Sequence, residues 1–289
     1  MNKKVKIISD STCDLTKEII DKYDISILPL HVLLGDEEYL DGVNISQSEI
    51  FKWADANETT PKTSAPSIED AVELFKPFID DGRDIVCFSI SSSMSTSFNC
   101  MKLAAEELGA ENHITVIDSG NLSTGIGLLV VRAAEMAKEG AYPEEIEEEM
   151  EILKPKVRAS FVVDTLVYLH RGGRCSGLAA FLGSTLKMHP KIVVENGKMH
   201  SEKKYRGNID RAVRDYVNDM KETMKGAIPD RVFITHSSIS ENVVEQVKKT
   251  LLEEGVFKEI IETNAGGVIS SHCGPGTLGV LYIMKEEPI

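Results

Sequence analysis

Three short apolar runs, residues 5–9, 84–90 and 113–118, each lead into a hydroxyl-rich segment and then into a helix-patterned stretch. That order constrains the fold more than any other feature of the chain. A short apolar run followed by turn chemistry and a helix reads as a buried parallel strand with its crossover helix. The expected N-terminal architecture is therefore a doubly wound parallel α/β sheet. Ligands of such sheets collect at the C-terminal ends of the strands, so the loops there are expected to rim a cleft. The first loop is Ser9-Asp10-Ser11-Thr12-Cys13-Asp14-Leu15, with Ser9, Asp10 and Ser11 as cleft-lining candidates. The second is the serine run 91–97, with Ser93, Ser95 and Thr96 as candidates just ahead of a helix, where unpaired N–H groups favour an anion.

Between the first and second runs, residues 25–45 read as a hairpin insertion with a Gly35-Asp36 turn, and 46–54 as a short helix. Asp14 is expected to cap a helix over 16–23. Pro61-Lys62-Thr63-Ser64-Ala65-Pro66-Ser67 is held extended by its prolines, which leaves Thr63 and Ser64 as free hydroxyls. Ser67 caps a helix over 68–79, with Asp70 as its capping-box partner. Gly125 and Gly127, in a long apolar helix over 124–138, point to close packing against a neighbour.

The pattern changes near residues 154–156. Beyond them strands are joined by hairpins as well as helices, which predicts a second α/β domain with a mixed sheet. Domains of 1–156 and 157–289 follow. A short helix over 165–174 breaks at Gly172-Gly173, a further helix is expected over 176–186, and Asn196-Gly197 is a strong hairpin turn. Near the end, 268–271 reads as a short strand, then His272, then a Gly274-Pro275-Gly276 turn and a last strand over 280–284. A histidine closing a buried strand would face a cleft, with Gly274 letting backbone approach what it touches. Residues 274–279 match G-x-G-x-x-G, but a strand-like run follows instead of the helix a dinucleotide site needs.

The net charge of −14 (32 basic, 46 acidic side chains) argues against nucleic-acid binding. No apolar run reaches the roughly 18 residues of a membrane span, and the basic N-terminus has too short an apolar run for a signal peptide. A cytoplasmic location is expected. The five cysteines form no C-x-x-C pair, so neither a disulfide framework nor a structural zinc site is expected.

Five segments together resemble the DegV family of fatty-acid-binding proteins. They are Ser9-Asp10-Ser11-Thr12-Cys13-Asp14-Leu15, Thr63-Ser64-Ala65-Pro66-Ser67, the serine run 91–97, Asp164-Thr165-Leu166 with Arg171-Gly172-Gly173-Arg174, and His272-Cys273-Gly274-Pro275-Gly276-Thr277-Leu278-Gly279. The resemblance implies a long-chain fatty acid held between two domains. It also implies a role as the acyl-binding subunit of a fatty acid kinase, presenting the carboxylate to a separate ATP-dependent subunit that makes an acyl phosphate. Thr63, Ser95 and His272 would hold the carboxylate, and Arg171 and Arg174 would face the kinase. No metal or cofactor is implied beyond the lipid, and transient membrane contact is compatible with such a carrier. Where the family usually reads Ser-Gly-Thr, this chain has Ser95-Thr96-Ser97.

The rival reading is a serine hydrolase acting on a lipid-like ester, with Ser95 or Ser93 as nucleophile, His272 as base and Asp10 orienting it. No G-x-S-x-G elbow supports it. A sugar or phosphate enzyme would rest on fold analogy alone.

Overall fold

The computed structural model of the protein describes residues 5–176 and 188–287. The chain begins with β1 (Lys6–Asp10), a 3₁₀ turn at Ser11–Cys13, α1 (Lys17–Tyr23), β2 (Ser26–Leu28), β3 (His31–Leu34) and β4 (Glu37–Leu40). It continues through α2 (Gln47–Asn57), β5 (Lys62–Ser64), α3 (Ile68–Asp80), β6 (Ile85–Ser89), α4 (Ser97–Glu107), β7 (Ile114–Asp118), α5 (Thr124–Glu139) and α6 (Pro143–Leu153). After a 3₁₀ turn at Lys154–Lys156 come β8 (Val157–Val162), α7 (Val167–Gly172) and β9 (Cys175–Ser176). The remainder is β10 (Met188–Glu195), β11 (Lys198–Arg206), α8 (Ile209–Met224), β12 (Arg231–Ser237), α9 (Glu241–Glu254), β13 (Glu259–Asn264), α10 (Gly267–Cys273) and β14 (Thr277–Ile283).

The first sheet is four-stranded and wholly parallel, in the order β2-β1-β6-β7. Successive side chains of a strand point to opposite faces. Ile8, Ile85 and Cys87 accordingly pack on Ala71 and Phe75 of α3 and Met101 and Ala104 of α4. Ile7, Val86 and Phe88 pack on the other face with α5 and α6. Both faces are covered, and the two central strands β1 and β6 are buried along their whole length. The predicted insertion is more than a hairpin. Residues 26–28 join the parallel sheet as a fourth strand, and Pro29 separates them from β3. β3 then centres an antiparallel sheet in the order β4-β3-β5, which brings Thr63 in from a distant segment.

The second sheet is mixed, in the order β13-β12-β14-β8-β10-β11-β9. Phe161, Phe233 and Leu281 on one face share a core with α5, while Val162, Ile234 and Val280 on the other pack under α8 and α9. Helix α5 is thus common to both sheets, and this is why its middle is buried all round. Gly127 makes the close approach possible: a Cβ there would lie 2.9 Å from the carbonyl oxygen of Cys13. At the β10–β11 turn Asn196 (φ 49°) and Gly197 (φ 74°) both take left-handed backbone, as a tight hairpin of this twist demands.

Two local expectations are overturned. Residues 267–273 form a short helix, α10, and the predicted strand over 268–271 does not exist. The cause is remote: the N–H of Gly266 donates to Asp14 Oδ1 at 2.8 Å and that of Gly267 to Asp41 Oδ1. Within the helix Ser271 Oγ donates back to the Gly267 carbonyl. Asp14, engaged there and with Ser123 Oγ, does not cap α1; Thr16 does, accepting from the Ile19 N–H. The helix expected over 176–186 lies outside the described residues, apart from Ser176, which closes β9.

Candidate functional site

A cavity of about 470 Å³ opens where β5, the loop after β6 and α10 meet. Its polar side is formed by Thr63 and Ser64 of β5, Ser92, Ser93, Ser95 and Thr96 of the loop, and His272 with Arg174. The rest is apolar: Leu30, Ala65, Ile90, Met94, Leu122, Met199, Val268, Ile269 and Cys273. Burial pushes the Cys273 thiol pKa upward, so this residue behaves as one more apolar surface.

The loop after β6 is fixed by Ser91, which is fully buried. Its Oγ donates to the Gly197 carbonyl of the β10–β11 turn at 2.7 Å and accepts from the Ser93 N–H at 3.2 Å. Its carbonyl takes the N–H groups of Met94 and Ser95. Ser95 Oγ accepts from the Ser97 N–H and shares a hydrogen bond with Ser97 Oγ at 2.9 Å. Thr96, where a family glycine was expected, has φ −87°, so the backbone needs no glycine there and the exposed side chain is accommodated.

Thr63 Oγ1 and His272 Nε2 lie 2.8 Å apart. Burial, and secondarily the charge of Arg174, holds the His272 pKa down to about 4, so the ring is neutral near pH 7. Nδ1 has no hydrogen-bond partner among the described residues and packs against Gly172. A Cβ on Gly172 would come within 2.3 Å of it. The first glycine of the Arg171-Gly172-Gly173-Arg174 segment is therefore a seat for the imidazole.

Ser9, Asp10, Ser11 and Gly274 do not line the cavity, contrary to expectation; they form the layer behind it. Asp10 Oδ1 accepts from Thr12, and Oδ2 accepts from the N–H of the lining residue Ile90 at 2.8 Å. Burial raises the Asp10 pKa to about 6 against the pull of those hydrogen bonds. Ser11 Oγ accepts from the N–H of Leu30, another lining residue, and donates to Asp41 Oδ2. Ser9 Oγ donates to the Asp10 carbonyl. Gly274, at φ 77°, is pressed on Tyr168, whose ring would lie 2.6 Å from any Cβ. Among the described residues the hydrolase arrangement is not assembled, because Asp10 is committed to Thr12 and Ile90 and no described carboxylate backs His272 Nδ1.

The two arginines part company. Arg174 borders the cavity, donating to the Gly172 carbonyl at 2.6 Å and reaching the Met94 carbonyl at 3.5 Å. Arg171 is exposed and reaches the Glu58 carbonyl at 3.5 Å. Asp41 and Met199 escaped the sequence reading. Asp41-Gly42 looked like a plain turn, and Met199 sits in a hairpin whose distance from the loop after β6 no local pattern reveals. No group of three or more His, Cys, Asp or Glu among the described residues is arranged to hold a metal, and no described helix is long and apolar enough to cross a membrane.

The family model described as uncharacterised protein of the DegV family matches residues 4–285. The chain belongs to the DegV family. A DegV domain-containing protein of Clostridium acetobutylicum is 32% identical over 284 residues, covering 98% of this chain and 99% of the relative. The structure of a fatty-acid-binding DegV family protein from Thermus thermophilus superposes with a TM-score of 0.88 at 29% identity, covering 98% of this chain and all of that one. The Fak B3 fatty acid kinase protein of Streptococcus pneumoniae, loaded with linoleic acid, has the same DegV fold, with a TM-score of 0.83, 22% identity and coverage of 98% and 100%.

Proposed function

We propose that the cavity binds a long-chain fatty acid between units 1–156 and 157–289. Thr63, Ser95 and His272 receive the carboxylate and the apolar wall receives the chain. The observation that carries this is the division of a single cavity into a hydroxyl–imidazole side and an aliphatic side. The family relatives described as fatty-acid-binding proteins support it. Two hydroxyl donors and an imidazole suit an oxyanion. Burying about sixteen carbons at ~0.8 kcal/mol per CH₂ gives roughly 12 kcal/mol gross. Association and ordering remove several kcal/mol, which leaves affinity of about micromolar order. The head-group contacts, at about 1.5–3 kcal/mol, orient the lipid more than they hold it.

The finer reading is that the bound carboxylate is presented to a separate ATP-dependent kinase subunit, and that Arg171, exposed beside the site, contacts it. The likeness to the Fak B3 protein prompts this part.

One experiment with two readouts tests both levels. Delipidated protein is titrated with a saturated fatty acid and with its methyl ester, and acyl phosphate is measured after adding a family kinase subunit and ATP. The acid is expected to bind about tenfold or more tightly than the ester, the weight of one charge-assisted contact. Arg171→Glu is expected to bind lipid as the wild type does and to yield little acyl phosphate. Equal affinity for acid and ester would remove the carboxylate assignment. Full acyl phosphate formation by Arg171→Glu would remove the contact role.

A further inference from the structure

The tip of the β10–β11 hairpin is sunk into the loop after β6. Gly197 is buried, while Glu195, Asn196 and Lys198 around it are exposed. The buried Ser91 hydroxyl donates to the Gly197 carbonyl at 2.7 Å, which ties a loop of the parallel sheet to a hairpin of the mixed one. The approach leaves no room for a side chain. A Cβ on Gly197 would lie 2.7 Å from Ser91 Oγ, though 3.6 Å from Ser93 Oγ and 3.8 Å from Ser91 Cβ. Ser91 is also the point from which its own loop is held. The Ser93 N–H donates to its Oγ, and the N–H groups of Met94 and Ser95 donate to its carbonyl. On the hairpin side, Met199 pairs with Cys175 of β9, the neighbour of Arg174. Arg174 in turn donates to the carbonyl of Gly172, on which the His272 ring is seated. Direct contacts thus run from Ser95 to His272 with the Ser91–Gly197 hydrogen bond at their middle, and neither Ser91 nor Gly197 lines the cavity.

We infer that Ser91 and Gly197 are positioning residues that set the spacing between the Ser93 and Ser95 hydroxyls and His272, and with it the preference of the cavity for a carboxylate. This rests on the fatty-acid reading above and deepens it. Head-group recognition depends on spacing more than chain burial does. A hydrogen bond weakens steeply outside a narrow range of distance and angle, whereas burial of methylenes is non-directional. Ser91→Ala removes the donor to the Gly197 carbonyl and the acceptor of the Ser93 N–H together. Gly197→Ala keeps the hydroxyl and wedges a methyl group against it. The first loosens the tie and the second pushes its two sides apart, so both cost the acid more than its ester. Alanine at φ 74° is also strained, but that strain is the same whichever residue stands at 91 and cancels in a double-mutant cycle.

In the test, delipidated wild type, Ser91→Ala, Gly197→Ala and the double variant are each titrated with a straight-chain saturated fatty acid and with its methyl ester. Wild type is expected to prefer the acid by about tenfold or more. Each single variant is expected to reduce that preference to about threefold or less, with ester affinity within about twofold of the wild type. In the double variant the added methyl group meets Ser93 Oγ at 3.6 Å and no hydroxyl at 91, so the preference is expected to match that of Ser91→Ala alone. Should Ser91→Ala not fold, Gly197→Ala reads the same ratio by itself. A preference unchanged in the single variants, or acid and ester affinities that fall together, overturns the inference while leaving the lipid reading intact. So does a double variant whose loss is the product of the two single losses. A wild type that takes neither ligand, or both equally, overturns the fatty-acid or the carboxylate reading, and the inference with it.

Discussion

The neutral ring of His272 has one proton to place and two claimants for Nε2: the Thr63 hydroxyl and a bound carboxylate. With a folded pKa of about 4 against 6.5 for the free side chain, the unfolded chain takes up a proton first as pH falls. This group's contribution to stability is therefore full above pH 6.5 and declines as pH falls toward 4. Asp10, raised to about 6, acts in the opposite sense: its contribution is full below about 3.8 and is lost as pH rises through 6. The difference between wild type and His272→Gln isolates the histidine. Ligand-free His272→Gln is expected to gain on the wild type by up to about 3 kcal/mol between pH 6.5 and pH 4, read by denaturant unfolding across that range. A constant difference would mean that the ring is solvated and ionises normally. At this scale Thr63, Ser95 and His272, which all line the cavity, stood out in the sequence as a hydroxyl held between prolines, a hydroxyl after a strand and a histidine before a glycine turn, while a shared carboxylate role was implied by the family resemblance alone. Gly172 as the seat of the ring was not, because its neighbour lies 100 residues further along the chain.

Helix α10 is the element that sequence periodicity misjudged, and its cause is physical. Val268 and Ile269 are β-formers in a run too short to show helical periodicity. The decision is made by Asp14 and Asp41, both buried, which hold the first two N–H groups at its start. Burial raises the pKa of both, and their hydrogen bonds pull the other way. Removing Asp41 strands the Gly267 N–H and the Ser11 hydroxyl together. Asp41→Ala is expected to cost about 1–3 kcal/mol, a fall in Tm of roughly 2–4 °C per kcal/mol, by differential scanning calorimetry. It should also weaken ligand binding, because α10 carries His272 and the apolar wall residues Val268 and Ile269. An unchanged Tm would show that the helix stands without its cap. Other elements were read closely from local signals: the capping box of Ser67 with Asp70 on α3, the Asn196-Gly197 turn, and the acidic α6 opening at Pro143.

Over the whole molecule, two sheets of different topology share one helix, α5, and the proposed site lies where segments from both halves converge. Strand–helix order was sufficient to anticipate a parallel sheet followed by a mixed one, because burial on two faces demands apolar strands and short loops wherever it occurs. The convergence of Thr63, Ser95 and His272 was implied by the family resemblance and not by local pattern, since β5, the loop after β6, Arg174, Met199 and α10 are brought together only by packing. That convergence is also what a long apolar ligand needs, for it buries the chain along several elements at once. The most direct measurement is mass spectrometry of an organic extract of the purified protein, made in lipid-replete cells. The account predicts a straight-chain fatty acid at about one per chain, lost or sharply reduced when Val268 and Ile269 are replaced together by aspartate. Repeated absence of any fatty acid from folded wild-type protein would contradict it.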